Sequence, residues 1–158
     1  MSFVLWITGL PCSGKTTLSK SIQSKFNDQN MTIVTLDGDD IRSTISNDLD
    51  YSYESREENV RRVANIAKLL AAQGISSIVS ILSPLEKHRD EAAKIIGEKF
   101  HLIYLNTSLS VCEKRDIKGM YKKARENKIK DFTGVNSQYE EPSTYNLKID
   151  TSNKGIDE

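Results

Sequence analysis

Near its start the chain carries Gly9-Leu10-Pro11-Cys12-Ser13-Gly14-Lys15-Thr16. The string reads G-x-x-x-x-G-K-[ST], and no other stretch limits the fold as strongly. Such a loop cradles phosphates only when a strand leads into it and a helix leads out. Both flanks are present. Phe3-Val4-Leu5-Trp6-Ile7-Thr8 is an unbroken apolar run that suits a buried parallel strand. From Lys15 to Asn27, the residues Leu18, Ile22, Lys25 and Phe26 fall on one helical face. Gly9 and Gly14 allow close approaches that a Cβ would block, so successive N–H groups can face phosphate oxygens. Lys15 can reach β- and γ-phosphates, and the Thr16 hydroxyl can ligate a Mg²⁺ bridging them. Gly9, Leu10, Pro11, Cys12, Ser13, Gly14, Lys15, Thr16 and Thr17 are therefore the expected ATP-binding set, with Cys12 a small residue at a variable loop position.

The rest of the chain narrows the class. A length of 158 residues suits one domain, 1–158, with a real core. Lys+Arg and Asp+Glu balance at 22 each, which argues against nucleic acid or an anionic membrane as partner. No apolar run approaches the ~20 residues of a spanning helix, and the N-terminus lacks a signal-type pattern. With two cysteines, Cys12 and Cys112, there is no disulfide framework. A cytoplasmic setting is the expectation.

Strands alternate with helices along the chain. Met31 to Leu36 reads as a second strand, Gly74 to Leu82 as a third, Phe100 to Leu105 as a fourth and Leu147 to Asp150 as a short last one. Between them, helices are expected over Ile41 to Ser46, from the S-x-x-E box Ser55-Arg56-Glu57-Glu58 to Gly74, over Glu86 to Lys99, Ser110 to Asp116, and Tyr121 to Asn127. This pattern predicts an α/β fold, a three-layer parallel sheet with helices on both faces.

Phosphoryl transfer also needs an acceptor site and charge neutralisation. Asp37 and Asp39 follow the second strand, at the end that faces the ligand crevice. Asp39 suits the acceptor hydroxyl and the metal, Asp37 a water on Mg²⁺; the bland alternative is a pair of turn-forming aspartates. Arg42, Arg56 and Asn59 can converge on an anionic acceptor, since a guanidinium offers two donors to phosphate or sulfate. Tyr51 and Phe132 are aromatics in polar surroundings and can offer a face to a base. The basic run Lys118-Gly119-Met120-Tyr121-Lys122-Lys123-Ala124-Arg125, continuing to Lys128 and Lys130, suits a lid closing on ATP or an exposed amphipathic helix. His88 and His101 have no expected role, and no Cys/His spacing suggests zinc.

These residues together resemble the adenylylsulfate kinases. The shared motifs are W-I-T-G-L-x-x-S-G-K-T-T at Trp6 to Thr17, L-D-G-D-D-I-R at Leu36 to Arg42, and S-R-E-E-N-V-R-R at Ser55 to Arg62. They continue with S-I-L-S-P at Ser80 to Pro84, K-G-M-Y-K-K-A-R at Lys118 to Arg125, and K-x-F-T-G at Lys130 to Gly134. The resemblance implies a P-loop nucleoside triphosphate hydrolase-like fold. It also implies transfer of the ATP γ-phosphate to the 3′-hydroxyl of adenosine 5′-phosphosulfate, a step of sulfate assimilation. Lys15, Asp39 and Ser83 would be catalytic, and Thr16 and Asp39 would hold Mg²⁺. Asp37, Arg42, Tyr51, Arg56, Asn59, Ser83, Lys130 and Phe132 would bind the acceptor, with a lid at about 116–134. Tyr51 stands where the family usually has Phe, and it would sandwich the adenine with Phe132. The family describes the serine matched by Ser83 as a phosphoserine intermediate; direct in-line transfer needs no covalent step, so Ser83 is expected to contact the acceptor. A homodimer is left open, as are a same-fold kinase of another nucleotide, such as cytidine diphosphoramidate, and a non-catalytic nucleotide-binding subunit.

Overall fold

The computed structural model describes residues 2–155. Its strands are β1 (Val4–Gly9), β2 (Ile33–Asp37), β3 (Ser76–Ser80), β4 (Phe100–Leu105) and β5 (Leu147–Ile149). Its helices are α1 (Lys15–Asp28), α2 (Gly38–Ser43), α3 (Tyr53–Ala72), α4 (Glu86–Ile96), α5 (Leu109–Arg115) and α6 (Met120–Arg125). The strands form one sheet in the order β2-β3-β1-β4-β5, and every neighbouring pair is parallel.

The unbroken apolar character of β1 follows from its place in the sheet. Successive side chains point to opposite faces, and helices cover both. Val4 and Trp6 pack with Val60, Val63 and Ala67 of α3 and with Ala92 and Ile96 of α4. Leu5 and Ile7 join Ile33, Ile78 and Ile103 under Leu18, Ile22 and Phe26 of α1. Because β1 is flanked by β3 on one side and β4 on the other, the loop after it opens where strand order reverses. That is the crevice in which open α/β sheets bind ligands. Among the described residues, no helix is long and apolar enough to cross a membrane.

Two helix starts differ from expectation by more than one residue, and local hydrogen bonds explain both. α3 begins at Tyr53, capped by Ser52, whose hydroxyl accepts from the Ser55 N–H at 3.2 Å. Asp50 fixes that cap by accepting from the Ser52 N–H and hydroxyl at 3.0 and 2.6 Å. Ser55 therefore lies inside the helix, and Glu58 pairs with Arg61 and Arg62 instead of closing a capping box. α2 begins at Gly38 rather than Ile41, because Asp37 accepts from the Asp39 N–H at 3.1 Å and caps it. At the other end of α4, Gly97 (φ 76°) stops the helix, and a 3-10 turn over Gly97–Lys99 replaces its expected last turn.

Candidate functional site

The 9–16 loop is built so that its carbonyls are used up from behind. Tyr121 Oη donates to Pro11 O at 2.8 Å, Arg115 to Cys12 O at 3.2 Å, and Thr151 Oγ1 to Ser13 O at 2.8 Å. Three successive carbonyls are thus satisfied by protein. Gly14, at φ 101°, caps α1 with no side-chain acceptor for the helix's first N–H groups. A helix N-terminus in that condition is an anion site. Gly9 is required by proximity: a Cβ there would lie 2.7 Å from Ser13 Oγ and 2.9 Å from Leu105 O. Lys15 Nζ folds back onto Gly9 O and Leu10 O at 2.9 and 2.8 Å. Burial lowers its pKa to about 8, a cost that a bound polyphosphate would offset.

Beside the loop, Thr16 Oγ1 donates to Asp37 Oδ2 at 2.7 Å. The Asp39 carboxylate pairs with Lys118 of the basic run. The donors here are all oxygens, the ligand type Mg²⁺ prefers. Among the described residues, no group of three or more His, Cys, Asp or Glu side chains gathers as a metal cage. That suits an ion held by one or two protein oxygens and completed by substrate phosphates.

The expected acceptor residues gather on the same side. Arg42 and Arg56 both lie over the Tyr51 ring, with their guanidinium carbons 4.8 and 5.5 Å from its centroid. Arg42 donates to Leu49 O and Asp50 O at 3.3 and 2.6 Å. Arg56 donates to Tyr51 O at 3.0 Å and to Asp131 O at 2.8 Å. Burial lowers the Arg56 pKa, and the nearby Arg42 charge pushes the same way. Asn59 is buried, and its Oδ1 has no partner among the described residues. Phe132 is held by Asn136, which accepts from the Phe132 N–H at 2.7 Å and donates to Ile129 O at 2.8 Å.

Ser83 is buried, and its hydroxyl already has protein partners. Its hydroxyl accepts from Trp6 Nε1 at 3.1 Å and lies 3.4 Å from Thr8 Oγ1. Its backbone sits at φ 38°, and the residue is 3% exposed. His88 is buried, and burial drives its pKa down to about 4. Cys112 is buried and free, and burial raises its thiol pKa.

One cavity of about 1140 Å³ joins these parts. Pro11, Cys12, Gly14, Lys15, Thr16 and Thr17 line its loop side. Asp37, Asp39, Arg42, Tyr51, Arg56 and Asn59 line the other wall, closed by Ser83, Lys130 and Phe132. Gly9, Leu10 and Ser13 shape the loop from behind, outside the lining. Sequence reading missed Arg115 and Thr151, which also line the cavity and are joined by a bond from Arg115 to Thr151 O at 2.6 Å. Their only visible signal was position, at the end of α5 and just after β5.

The adenylylsulphate kinase family model matches residues 1–150. The adenylyl-sulfate kinase of Prochlorococcus marinus is 44% identical over 158 residues, covering 99% of this chain and 79% of that protein. That of Phocaeicola vulgatus is 45% identical over 156 residues, covering 98% and 76%. Among solved structures, an APS kinase of Mycobacterium tuberculosis in complex with AMPPNP and APS aligns with a TM-score of 0.95 at 36% identity, covering 99% of this chain and 91% of that one. On this evidence the chain belongs to the adenylylsulphate kinase family.

Proposed function

We propose that the protein transfers the γ-phosphate of ATP to the 3′-hydroxyl of adenosine 5′-phosphosulfate, giving 3′-phosphoadenylylsulfate and ADP. The observation that carries this reading is one cavity holding two anion sites of different kinds. The first is the open start of α1 with Lys15. The second is the Arg42–Arg56 pair over Tyr51. Two guanidiniums that disfavour each other's charge are stabilised when an anion lies between them, and their planar forks suit phosphate or sulfate.

In this reading Lys15 and the loop N–H groups hold the donor phosphates. Thr16, Asp37 and Asp39 would hold Mg²⁺, which when bound neutralises charge on those phosphates. The acceptor base rests between Tyr51 and Phe132, with Asn59 offering its unpartnered oxygen. Lys130 and the basic run close over the pair as a lid and exclude water. Asp39 accepts from or orients the acceptor hydroxyl, which attacks in line. Ser83, pinned by Trp6, forms part of the wall and keeps the acceptor in place without a covalent step.

The test is an ADP-release assay over a panel of acceptors. Adenosine 5′-phosphosulfate should give the highest kcat/KM. A cytidine phosphoester turned over while adenosine 5′-phosphosulfate is not would refute the assignment. Binding of both nucleotides without ADP release would instead make the chain a nucleotide-binding subunit.

A further inference from the structure

Tyr121 stands apart from its neighbours in α6. The helix is rich in exposed cations, yet Tyr121 is 0% exposed. Its hydroxyl donates to Pro11 O in the phosphate loop at 2.8 Å. Its ring meets Phe132 edge-on, with centroids 4.9 Å apart and planes at 79°. The backbone that carries it is pinned, because Asp116 accepts from the Tyr121 and Lys122 N–H groups at 2.9 and 3.0 Å. Gly134, two residues past Phe132, packs down on the same spot. A Cβ there would lie 3.1 Å from Leu109, 3.3 Å from Leu10 of the loop and 3.9 Å from the Tyr121 ring.

One rigid side chain therefore touches both halves of the cavity. Its polar end holds a peptide of the loop that would receive donor phosphates. Its apolar face supports the aromatic wall that would receive the acceptor base. Burial raises the pKa of the hydroxyl, so it remains a donor at any working pH. A buried donor whose backbone acceptor moved away would lose a hydrogen bond, which is costly in a low-dielectric interior. A shift of the Pro11 peptide is consequently passed to the ring, and from the ring to Phe132.

We propose that Tyr121 is a positioning residue that couples the two nucleotide sites. Phosphates drawn into the 9–16 loop order the Pro11 peptide, and Tyr121 then holds Phe132 where it can stack on the acceptor base. By linkage, the acceptor tightens donor binding by the same factor. The inference rests on the reading of Phe132 as the acceptor wall.

Calorimetry with ADP and adenosine 5′-phosphosulfate tests it without turnover, because ADP has no γ-phosphate to give. In the unaltered protein, ADP should tighten acceptor binding by about fivefold or more, within the usual range of site coupling. Tyr121→Phe keeps the ring and removes only the hydroxyl. It should cut that factor to about twofold or less while each ligand alone binds within about threefold of normal. Loss of acceptor affinity by the same factor with and without ADP would overturn the proposal, since that is what a purely structural tyrosine gives. An unaltered coupling factor in Tyr121→Phe, or no coupling in the unaltered protein, would overturn it as well. Phe132→Leu separates the two levels of argument. If it weakens acceptor binding while Tyr121→Phe leaves coupling intact, the link fails and the acceptor site stands. If Phe132→Leu changes neither affinity nor coupling, the wall and the link fall together.

Discussion

Lowering the pH from 7.5 to 5.5 should destabilise the protein through His88. The residue sits on the face of α4 that packs against α3, the helix carrying Arg56 and Asn59. It is 0% exposed, and neither ring nitrogen has a partner among the described residues. Burial is the main force driving its pKa from 6.5 to about 4; Lys87, Arg56 and Arg89 push the same way, and Glu57 opposes them. Because the folded pKa is lower, the unfolded chain binds the proton first, so stability falls as pH drops below 6.5 and keeps falling to about 4. Linkage with those two values gives a loss of about 1.4 kcal/mol at pH 5.5 and about 3 kcal/mol at pH 4. The window above pH 5 separates this from the carboxylates. Asp50 and Glu58, held near 2 by hydrogen bonds from Ser52 and from Arg61 respectively, lose their contribution only at lower pH. The assay is urea unfolding followed by circular dichroism at both pH values. His88→Leu should lose less than about 0.5 kcal/mol over the same interval. At pH 7.5 it should stay within about 1 kcal/mol of the parent, since the ring it replaces buries two unpaired nitrogens. If His88→Leu keeps the full acid-side loss, the titrating group lies elsewhere and the reasoning fails.

Three further outcomes follow from the site. Lys15→Ala should reduce kcat by at least about a hundredfold to a thousandfold in the ADP-release assay, the effect of removing a charged donor from a site of developing charge. Retained turnover would exclude Lys15 from the chemistry. Asp39→Asn breaks an ion pair whose two side chains are 77% and 64% exposed, so thermal unfolding should move by less than about 1 kcal/mol, while turnover falls about a hundredfold. A large stability loss with normal turnover would reverse that division of roles. Gly9→Ala should cost about 1–3 kcal/mol in denaturant unfolding, because the new methyl would meet the Leu105 carbonyl at 2.9 Å, a backbone atom with little room to yield. Wild-type stability would show that the loop has slack.

How much of this was visible in the chain depends on what each contact is made with. The phosphate loop was legible because its function is written in spacing: two glycines, a lysine and a threonine, consecutive in sequence and adjacent in space. The parallel sheet was legible because burial on both faces leaves strands such as Val4–Gly9 with hardly a polar position. The start of α3 was not. Ser55 and Glu58 satisfy the capping pattern as text, but Asp50 fixes Ser52 as the cap, and the arginines Arg61 and Arg62 claim Glu58. A pattern match cannot rank competing partners for the same side chain.

The supports of the cavity were hidden for a deeper reason. Arg56 ties Tyr51 O to Asp131 O, which lies 75 residues further along, and Arg115, Tyr121 and Thr151 hold three loop carbonyls. In each case the partner is a backbone oxygen, and every residue has one. Such a contact leaves no complementary letter at the other position, so no reading of residue types can reveal it. The Lys118–Asp39 pair, by contrast, joins two side chains of opposite charge and does leave a mark at both ends. The residues proposed to touch substrate are thus the readable ones, because their chemistry is selected by type. Those that place them, Arg115, Tyr121, Asn136 and Thr151, act on backbone and become visible only when the chain is folded. Substitution of Tyr121 or Asn136 should therefore alter coupling and KM more than the identity of the acceptor, because neither lines the cavity and so neither offers the ligand a chemical group that could be recognised in place of another.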